Sequence, residues 1–169
     1  CVGYLVQGAL GTEEEGAPRL VKTVWSADPM PFEEAAELGT KKVICDHSTV
    51  AVLVTADGTF ADLPREAYIS AEERVCTELK NAKKPFVIVL NSAHPEEDSA
   101  KKLRASLEEK YQVPCILLSA EQAGESEFSA VLERLLFEFP LKEISFRLPD
   151  WMQALPQDSP LLSSMLERL

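Results

Sequence analysis

An uninterrupted apolar run in the middle of the chain constrains the fold more than any other feature. Residues 85–90 (Pro-Phe-Val-Ile-Val-Leu) are apolar without alternation, and a polar turn, Asn-Ser-Ala-His at 91–94, follows directly. The run is too short to cross a membrane and fits a strand that is buried on both faces of a parallel sheet. Because open α/β sheets bind ligands at the carboxyl ends of their strands, we expect residues 91–94 to lie near a ligand.

Helix and strand patterns alternate on both sides of this run. Two more apolar, β-branched segments, at 48–56 and 113–118, predict buried strands. Apolar residues at helical spacing predict helices near 32–46, 66–82, 97–111 and 126–139. The last helix is predicted to bury Phe128, Val131, Leu132, Leu135 and Leu136. Such a chain predicts a three-layer α/β domain, a parallel sheet with right-handed crossovers and helices on both faces.

The pattern changes after Pro140. Residues 144–148 alternate between apolar and polar side chains, which predicts a strand with one solvated face. We therefore predict a domain boundary there, with residues 1–140 in the sheet domain and 141–169 at the start of a further α+β domain. The chain begins without Met, in what resembles the end of a strand, so we expect it to be a fragment of a longer protein.

Charge and cysteine usage narrow the class of protein. The formal net charge is −11 at pH 7, whereas nucleic acid and anionic lipid require clustered Lys and Arg, so we expect no nucleic-acid partner. The cysteines form no CxxC pair, which favours reduced thiols in the cytoplasm, with Cys76 and Cys115 in the core. His47 and His94 lack metal-ligand spacing, so we expect no metal site in these residues.

Two polar strand ends in succession form the strongest site pattern. Asn91, Ser92 and His94 follow the central strand, and Ser119 and Ala120 follow the next one. In GTPase-type P-loop proteins, two successive strand ends carry Asn-Lys-x-Asp and Ser-Ala and hold the nucleotide base, and the spacing here matches. The structural alternative is a helix-capping turn, because Asn and Ser side chains satisfy free N–H groups in such turns.

The pattern also departs from that motif in an informative way. Ser92 occupies the position of the Lys, and His94 occupies the position of the Asp that accepts two hydrogen bonds from guanine. Losing this acceptor removes much of the discrimination for guanine, so we expect ATP, or loose base selection. At the start of the chain, Gly3 lies where the Gly of the Asp-x-x-Gly phosphate-sensing turn would lie.

Several short segments carry a resemblance that covers nearly the whole chain. They are Cys-Val-Gly-Tyr-Leu-Val at 1–6, Pro-Phe-Glu-Glu-Ala-Ala-Glu at 31–37, His-Ser-Thr at 47–49, Pro-Arg-Glu at 64–66, Ala-Glu-Glu-Arg-Val at 71–75, Lys-Pro-Phe-Val at 84–87, and Asn-Ser and His-Pro within 91–95. With these segments the chain resembles the stage IV sporulation protein A family, the spore-coat morphogenetic ATPases of endospore-forming bacteria.

The resemblance implies a GTPase-like fold that uses ATP and Mg²⁺. It implies polymerisation, driven by ATP hydrolysis, into the basal layer of the spore coat at the outer forespore membrane, in the mother-cell cytoplasm. The implied partners are further copies of the protein, a small amphipathic membrane-bound coat peptide and other spore-coat morphogenetic proteins. In the family the phosphate loop and switch threonines precede the position of Cys1. No Gly-x-x-x-x-Gly-Lys-[Ser/Thr] sequence occurs here, so we expect this chain alone to be inactive.

The resemblance gives each site residue a role. Gly3 would belong to the γ-phosphate-sensing turn, and the base would be framed by Asn91, Ser92, His94, Ser119 and Ala120. Two alternative functions stay open, a non-enzymatic coat scaffold with a degenerate nucleotide site and a regulatory GTPase relative. ATP turnover separates the first alternative from an ATPase, and a base-selectivity panel separates the second.

Overall fold

The computed structural model describes residues 3–14, 16–60, 62–140, 143, 150–153, 155–156, 159–160 and 164. The chain divides into two units, Cys1–Phe139 and Pro140–Leu169. The first unit contains, in chain order, β1 (Glu13–Glu14), β2 (Ala17–Pro18), β3 (Leu20–Val21), β4 (Met30–Pro31), α1 (Phe32–Lys42), β5 (Ala51–Ala56), α2 (Arg65–Asn81), β6 (Phe86–Asn91), α3 (Asp98–Tyr111), β7 (Cys115–Leu118) and α4 (Glu125–Leu136). A π-helical segment, Val43–His47, extends α1.

The main sheet is parallel and has the strand order β5-β6-β7. Ala51 of β5 lies opposite Phe86 of β6, and Ile88 of β6 lies opposite Cys115 of β7. The apolar residues of β6 are each 5% exposed or less, since the strand has a neighbour on each side and helices on each face. This confirms the predicted α/β fold class and the central position of the uninterrupted apolar run.

Helices cover both faces of the sheet. On one face, Leu79 of α2 and Leu107 of α3 join Ile88 in the larger core cluster. On the other face, Val131 of α4 joins Val89. Full burial of an aliphatic side chain of this size contributes about 1.5–3 kcal/mol, so these two layers supply much of the driving force for folding.

The predicted buried face of α4 is wrong at three of its five positions. Val131 and Leu135 are buried against the sheet, but Phe128, Leu132 and Leu136 are 57%, 60% and 68% exposed. The apolar stripe of the helix is wider than the surface that the described strands offer, since its core contacts lie over β6 and β7. Helical spacing identifies the apolar stripe of a helix but not the width of the sheet surface on which it packs.

The strand predicted at 48–56 is also less buried than its composition suggests. It spans Ala51–Ala56 rather than 48–56. Val52 and Val54 are 41% and 65% exposed, whereas Leu53 is buried in the larger core cluster. This alternation is that of a strand covered on one face, as expected at the edge of the described sheet.

Two short antiparallel hairpins precede α1. β1 pairs with β2, and β3 pairs with β4. Trp25, between β3 and β4, packs on Gly39 of α1, where an added Cβ would lie 3.2 Å from the indole ring. Glycine in a helix lowers stability by about 1 kcal/mol relative to alanine. Here it lets the aromatic ring approach the helix backbone.

The predicted core thiols are confirmed. Cys76 and Cys115 are both buried in the larger core cluster. Their burial disfavours the thiolate and raises the pKa of each thiol to about 12. At neutral pH they therefore behave as small apolar side chains rather than as nucleophiles.

The tight turn after β5 depends on Gly58, and replacing it with alanine is expected to destabilise the domain. Gly58 has φ +91°, and a Cβ there would lie 2.7 Å from the backbone nitrogen of Arg65. Positive φ costs a non-glycine residue about 1–3 kcal/mol, and a rotamer change cannot relieve a backbone clash. We expect Gly58→Ala to lower the free energy of unfolding by about 2–3 kcal/mol in urea denaturation.

Gly11 offers a matched control for this substitution. It has a similar φ of +84°, but nothing lies within 4 Å of its added Cβ. Gly11→Ala is expected to lower the free energy of unfolding by only about 1 kcal/mol. If the two variants lose equal amounts of unfolding free energy, the clash between the added Cβ and the Arg65 backbone does not explain the loss at Gly58.

The second unit is described only in part. Its described residues include the short helix α5 (Asp150–Gln153). The predicted strand at 144–148 lies outside the described residues, and the assignment of 141–169 to a further domain stays a prediction. None of the helices formed by the described residues has the length and apolar character that a membrane span requires.

Candidate functional site

The two predicted base-site loops meet at the carboxyl ends of β6 and β7. Asn91 ends β6 and lies opposite Leu118, which ends β7. Oδ1 of Asn91 accepts a hydrogen bond from the backbone N–H of Ala120 at 2.8 Å. The structure thus brings Asn91 and Ala120 together, because neighbouring parallel strands deliver their following loops to the same edge of the sheet.

Ser119 directly follows β7, and its side-chain oxygen makes no hydrogen bond within the described part of the chain. The side chain is buried. A buried hydroxyl left without a partner costs about 1–3 kcal/mol. Such a group marks a position where a bound ligand or water would complete the hydrogen bonding.

Ser92 has a different orientation from that of a ligand-binding side chain. It has no exposed area. Its Oγ accepts a hydrogen bond from the backbone N–H of His94 at 3.0 Å. Ser92 therefore supports the loop from within rather than offering its hydroxyl to a ligand, as in the capping-turn alternative.

His94 lies at the surface of the same loop. The histidine is exposed, and the hydrogen bond from its backbone N–H to Oγ of Ser92 fixes its backbone. The position that carries the guanine-binding Asp in the GTPase motif is therefore open to solvent and to a ligand.

Gly3 lies in a separate part of the fold. It is exposed and lines a shallow cavity with Val54 and Thr55 of β5 and Tyr68 of α2. The described residues place it beside β5, whereas the base loops follow β6 and β7. Its role in a phosphate-sensing turn stays a prediction.

Two residues that the sequence analysis did not assign to the site contact the base loop. Oγ1 of Thr59 accepts a hydrogen bond from the backbone N–H of Ala93 at 2.8 Å. The same hydroxyl donates to Oδ1 of Asp57 at 2.5 Å. The signal that could have found them is the Asp-Gly-Thr turn at the end of β5, since β5 neighbours β6.

The electrostatics of this turn favour an ionised Asp57. Burial of the carboxyl group acts to raise its pKa, but the nearby hydroxyl of Ser92 and the hydrogen bonds from Thr59 outweigh this effect and hold the pKa below its usual range. Asp57 is thus a charged acceptor at neutral pH. Within the described residues, no group of three or more His, Cys, Asp or Glu side chains could hold a metal ion.

Comparison with known proteins gives a consistent result. The family described as stage IV sporulation protein A, ATPase domain, matches residues 1–140. The stage IV sporulation protein A of Clostridioides difficile (strain 630) is 47% identical over 169 residues, which cover 100% of this chain and 34% of that protein. The proteins of the same name from Bacillus anthracis and Bacillus subtilis (strain 168) are 46% identical over 167 residues, 99% of this chain and 34% of each relative. No solved structure matches the chain.

A parallel sheet flanked by helices, with polar loops at adjacent strand ends, is the architecture of a P-loop NTPase-like domain. The chain belongs to the family of the stage IV sporulation protein A ATPase domain. It spans about a third of the length of the curated relatives it matches, 34% in each case.

Proposed function

We propose that a full-length protein carrying this chain binds and hydrolyses ATP, and that the loops after β6 and β7 hold the adenine base. The observation that carries this proposal is the hydrogen bond between Asn91 and Ala120, which joins the two predicted base loops. The unpartnered Oγ of Ser119 lies in the second of these loops. The match to an ATPase domain family supports the same interpretation.

The polar groups of these loops suit the edge of a base. Oδ1 of Asn91 already accepts from Ala120, which leaves the amide N–H groups of Asn91 as donors. The hydroxyl of Ser119 can donate or accept. Adenine presents ring-nitrogen acceptors and an exocyclic amine donor, so both side chains have complementary partners.

The phosphates require groups outside these loops. This chain has no glycine-rich sequence of the phosphate-loop type, so Mg²⁺ and the triphosphate would be held mainly by residues beyond it. When bound, the Mg²⁺ would neutralise charge on the phosphates during transfer to water. Gly3 is proposed, by its place in the family's motif, to belong to the turn that contacts the γ-phosphate.

We further propose that this ATPase serves sporulation, as the name of the relatives suggests. The protein would polymerise on the outer forespore membrane, in the mother-cell cytoplasm, and form the basal layer of the spore coat. Its partners would be further copies of itself, a small amphipathic membrane-bound coat peptide and other coat morphogenetic proteins. These assignments follow from the family resemblance.

The first experiment measures ATP and GTP hydrolysis by the full-length protein while light scattering is followed in the same cuvette. We expect turnover with ATP in preference to GTP, because position 94 lacks the carboxylate that guanine needs. Scattering is expected to rise as ATP is consumed. If neither ATP nor GTP is hydrolysed, the result contradicts the ATPase proposal.

A non-enzymatic scaffold is the second candidate. It is favoured by the burial of Ser92, because the position that carries Lys in the GTPase motif offers no side chain to a ligand here. A scaffold would give rising light scattering without nucleotide turnover, and its assembly would be the same with and without ATP.

A further inference from the structure

Two hydroxyl groups hold the backbone of the base loop after β6, one from the loop itself and one from the end of the neighbouring strand β5. The backbone N–H of Ala93 donates to Oγ1 of Thr59, and the backbone N–H of His94 donates to Oγ of Ser92. These two N–H groups belong to the part of the loop that would face the base. Their direction therefore depends on the two hydroxyl groups.

The hydroxyl of Thr59 is fixed in turn by the carboxylate of Asp57. A hydroxyl has one proton to donate and lone pairs to accept with. Thr59 donates its proton to Oδ1 of Asp57 at 2.5 Å. The Thr59 oxygen is thereby turned to accept from the base loop, so Asp57 determines the direction of the hydrogen bond between Ala93 and Thr59.

The backbone keeps this carboxylate in place. Ala56, the last residue of β5, lies opposite Asn91, and the N–H of Asp57 donates to the carbonyl of Asn91 at 3.2 Å. The N–H of Thr59 donates to Oδ1 of Asp57 at 2.9 Å, which closes the turn over Gly58. The carboxylate thus lies beside the residue that begins the base loop.

We infer that Asp57 and Thr59 are positioning residues for base recognition, acting through the backbone of Ala93. They would contact the loop and not the nucleotide. This inference rests on the proposed function, because it assumes that the loop binds the base. It predicts that loosening the relay weakens binding that involves the base and spares binding of the phosphates.

The test uses the full-length protein and two ligands, ATP and inorganic tripolyphosphate, in equilibrium binding measurements. Thr59→Val removes the hydroxyl at nearly constant shape and leaves Ala93 without its acceptor. Thr59 is exposed, so the variant is expected to fold. We expect affinity for ATP to fall about ten-fold, with affinity for tripolyphosphate unchanged. Thr59→Ser restores the hydroxyl and is expected to restore ATP affinity.

Asp57→Ala and Asn91→Ala complete the set. Asp57→Ala removes the acceptor that orients the Thr59 hydroxyl, and we expect ATP affinity to fall at least as far as in Thr59→Val. An equal loss for ATP and tripolyphosphate would overturn the inference, since it would indicate a general effect on the domain. Unchanged ATP binding in Thr59→Val, with weaker ATP binding in Asn91→Ala, would overturn it and leave the base site standing. Unchanged binding in both variants would overturn the base site itself.

Discussion

Replacing Glu72 with alanine is expected to lower the free energy of unfolding of this domain by about 3–5 kcal/mol. Glu72 lies on α2 and is almost completely buried. Its carboxylate oxygens accept hydrogen bonds from Nη2 of Arg65 at 2.8 and 2.7 Å. Because the Arg65 side chain is only 15% exposed, the variant would leave a guanidinium in the interior without its counter-charge. Urea denaturation of wild type and variant measures the loss.

The effect is large because Glu72 connects three elements. Arg65 also donates to Oγ1 of Thr55 at 3.0 Å and to the carbonyl of Ala56 at 3.2 Å, which ties the start of α2 to the end of β5. The hydroxyl of Tyr111, at the end of α3, donates to Oε1 of Glu72 at 2.8 Å. Removing the carboxylate leaves several buried polar groups unsatisfied at once.

Two controls separate the ion pair from the rest of the network. Tyr111→Phe removes one hydrogen bond and is expected to lower the free energy of unfolding by only about 1–2 kcal/mol. The double variant Arg65→Met, Glu72→Leu removes both charges and is expected to recover the part of the loss that comes from the unpaired guanidinium, whereas the Tyr111 hydroxyl stays without its acceptor. A loss below about 1 kcal/mol for Glu72→Ala would show that Arg65 finds solvent when its partner is removed.

The same network makes stability depend on pH at the alkaline end. Burial, and then the hydrogen bond and charge of Glu72, raise the pKa of Tyr111 above its ordinary value. The folded state therefore holds this proton more tightly than the unfolded state. Its contribution to stability is complete below a pH of about 10 and declines as pH rises above that value.

The sequence predicted those parts of the fold in which burial is complete. β6 is covered on both faces and both edges, so its side chains are uniformly apolar and the strand is unambiguous. The exposure of Val52 on β5 and of Leu132 on α4 could not be predicted in this way, because an apolar pattern reports a preference for burial and not the presence of a partner. The hairpins β1-β2 and β3-β4 have strands of two residues, too short to show any periodicity.

The candidate site was predictable to the same extent. Adjacent parallel strands bring their following loops together, so the meeting of Asn91 with Ala120 follows from strand order. The hydrogen bond between Ala93 and Thr59 does not follow from it, since Thr59 lies 34 positions earlier in the chain. Hydrogen bonds between loops of different strands leave no local pattern in the sequence.

Replacing His94 with aspartate is expected to shift the base selectivity of the full-length protein towards guanine. A carboxylate at this exposed position could accept from both N–H donors on the edge of guanine, whereas adenine presents an acceptor there. A good bidentate pair contributes about 1–3 kcal/mol of discrimination between bases. We therefore expect the ratio of GTP to ATP affinity to rise about 10–100-fold. Competition binding with the two nucleotides on wild type and variant measures this ratio.

His94→Asn is the matched control, because it has the shape of aspartate but carries one donor and one acceptor. It cannot accept twice from guanine, so a smaller shift is expected. The backbone N–H of residue 94 still reaches Oγ of Ser92 in both variants, so the loop is expected to keep its conformation. If His94→Asp leaves the ratio unchanged while Asn91→Ala still weakens ATP binding, the edge of the base must face away from position 94. A shift of equal size in the aspartate and asparagine variants would instead indicate that the imidazole itself excludes guanine.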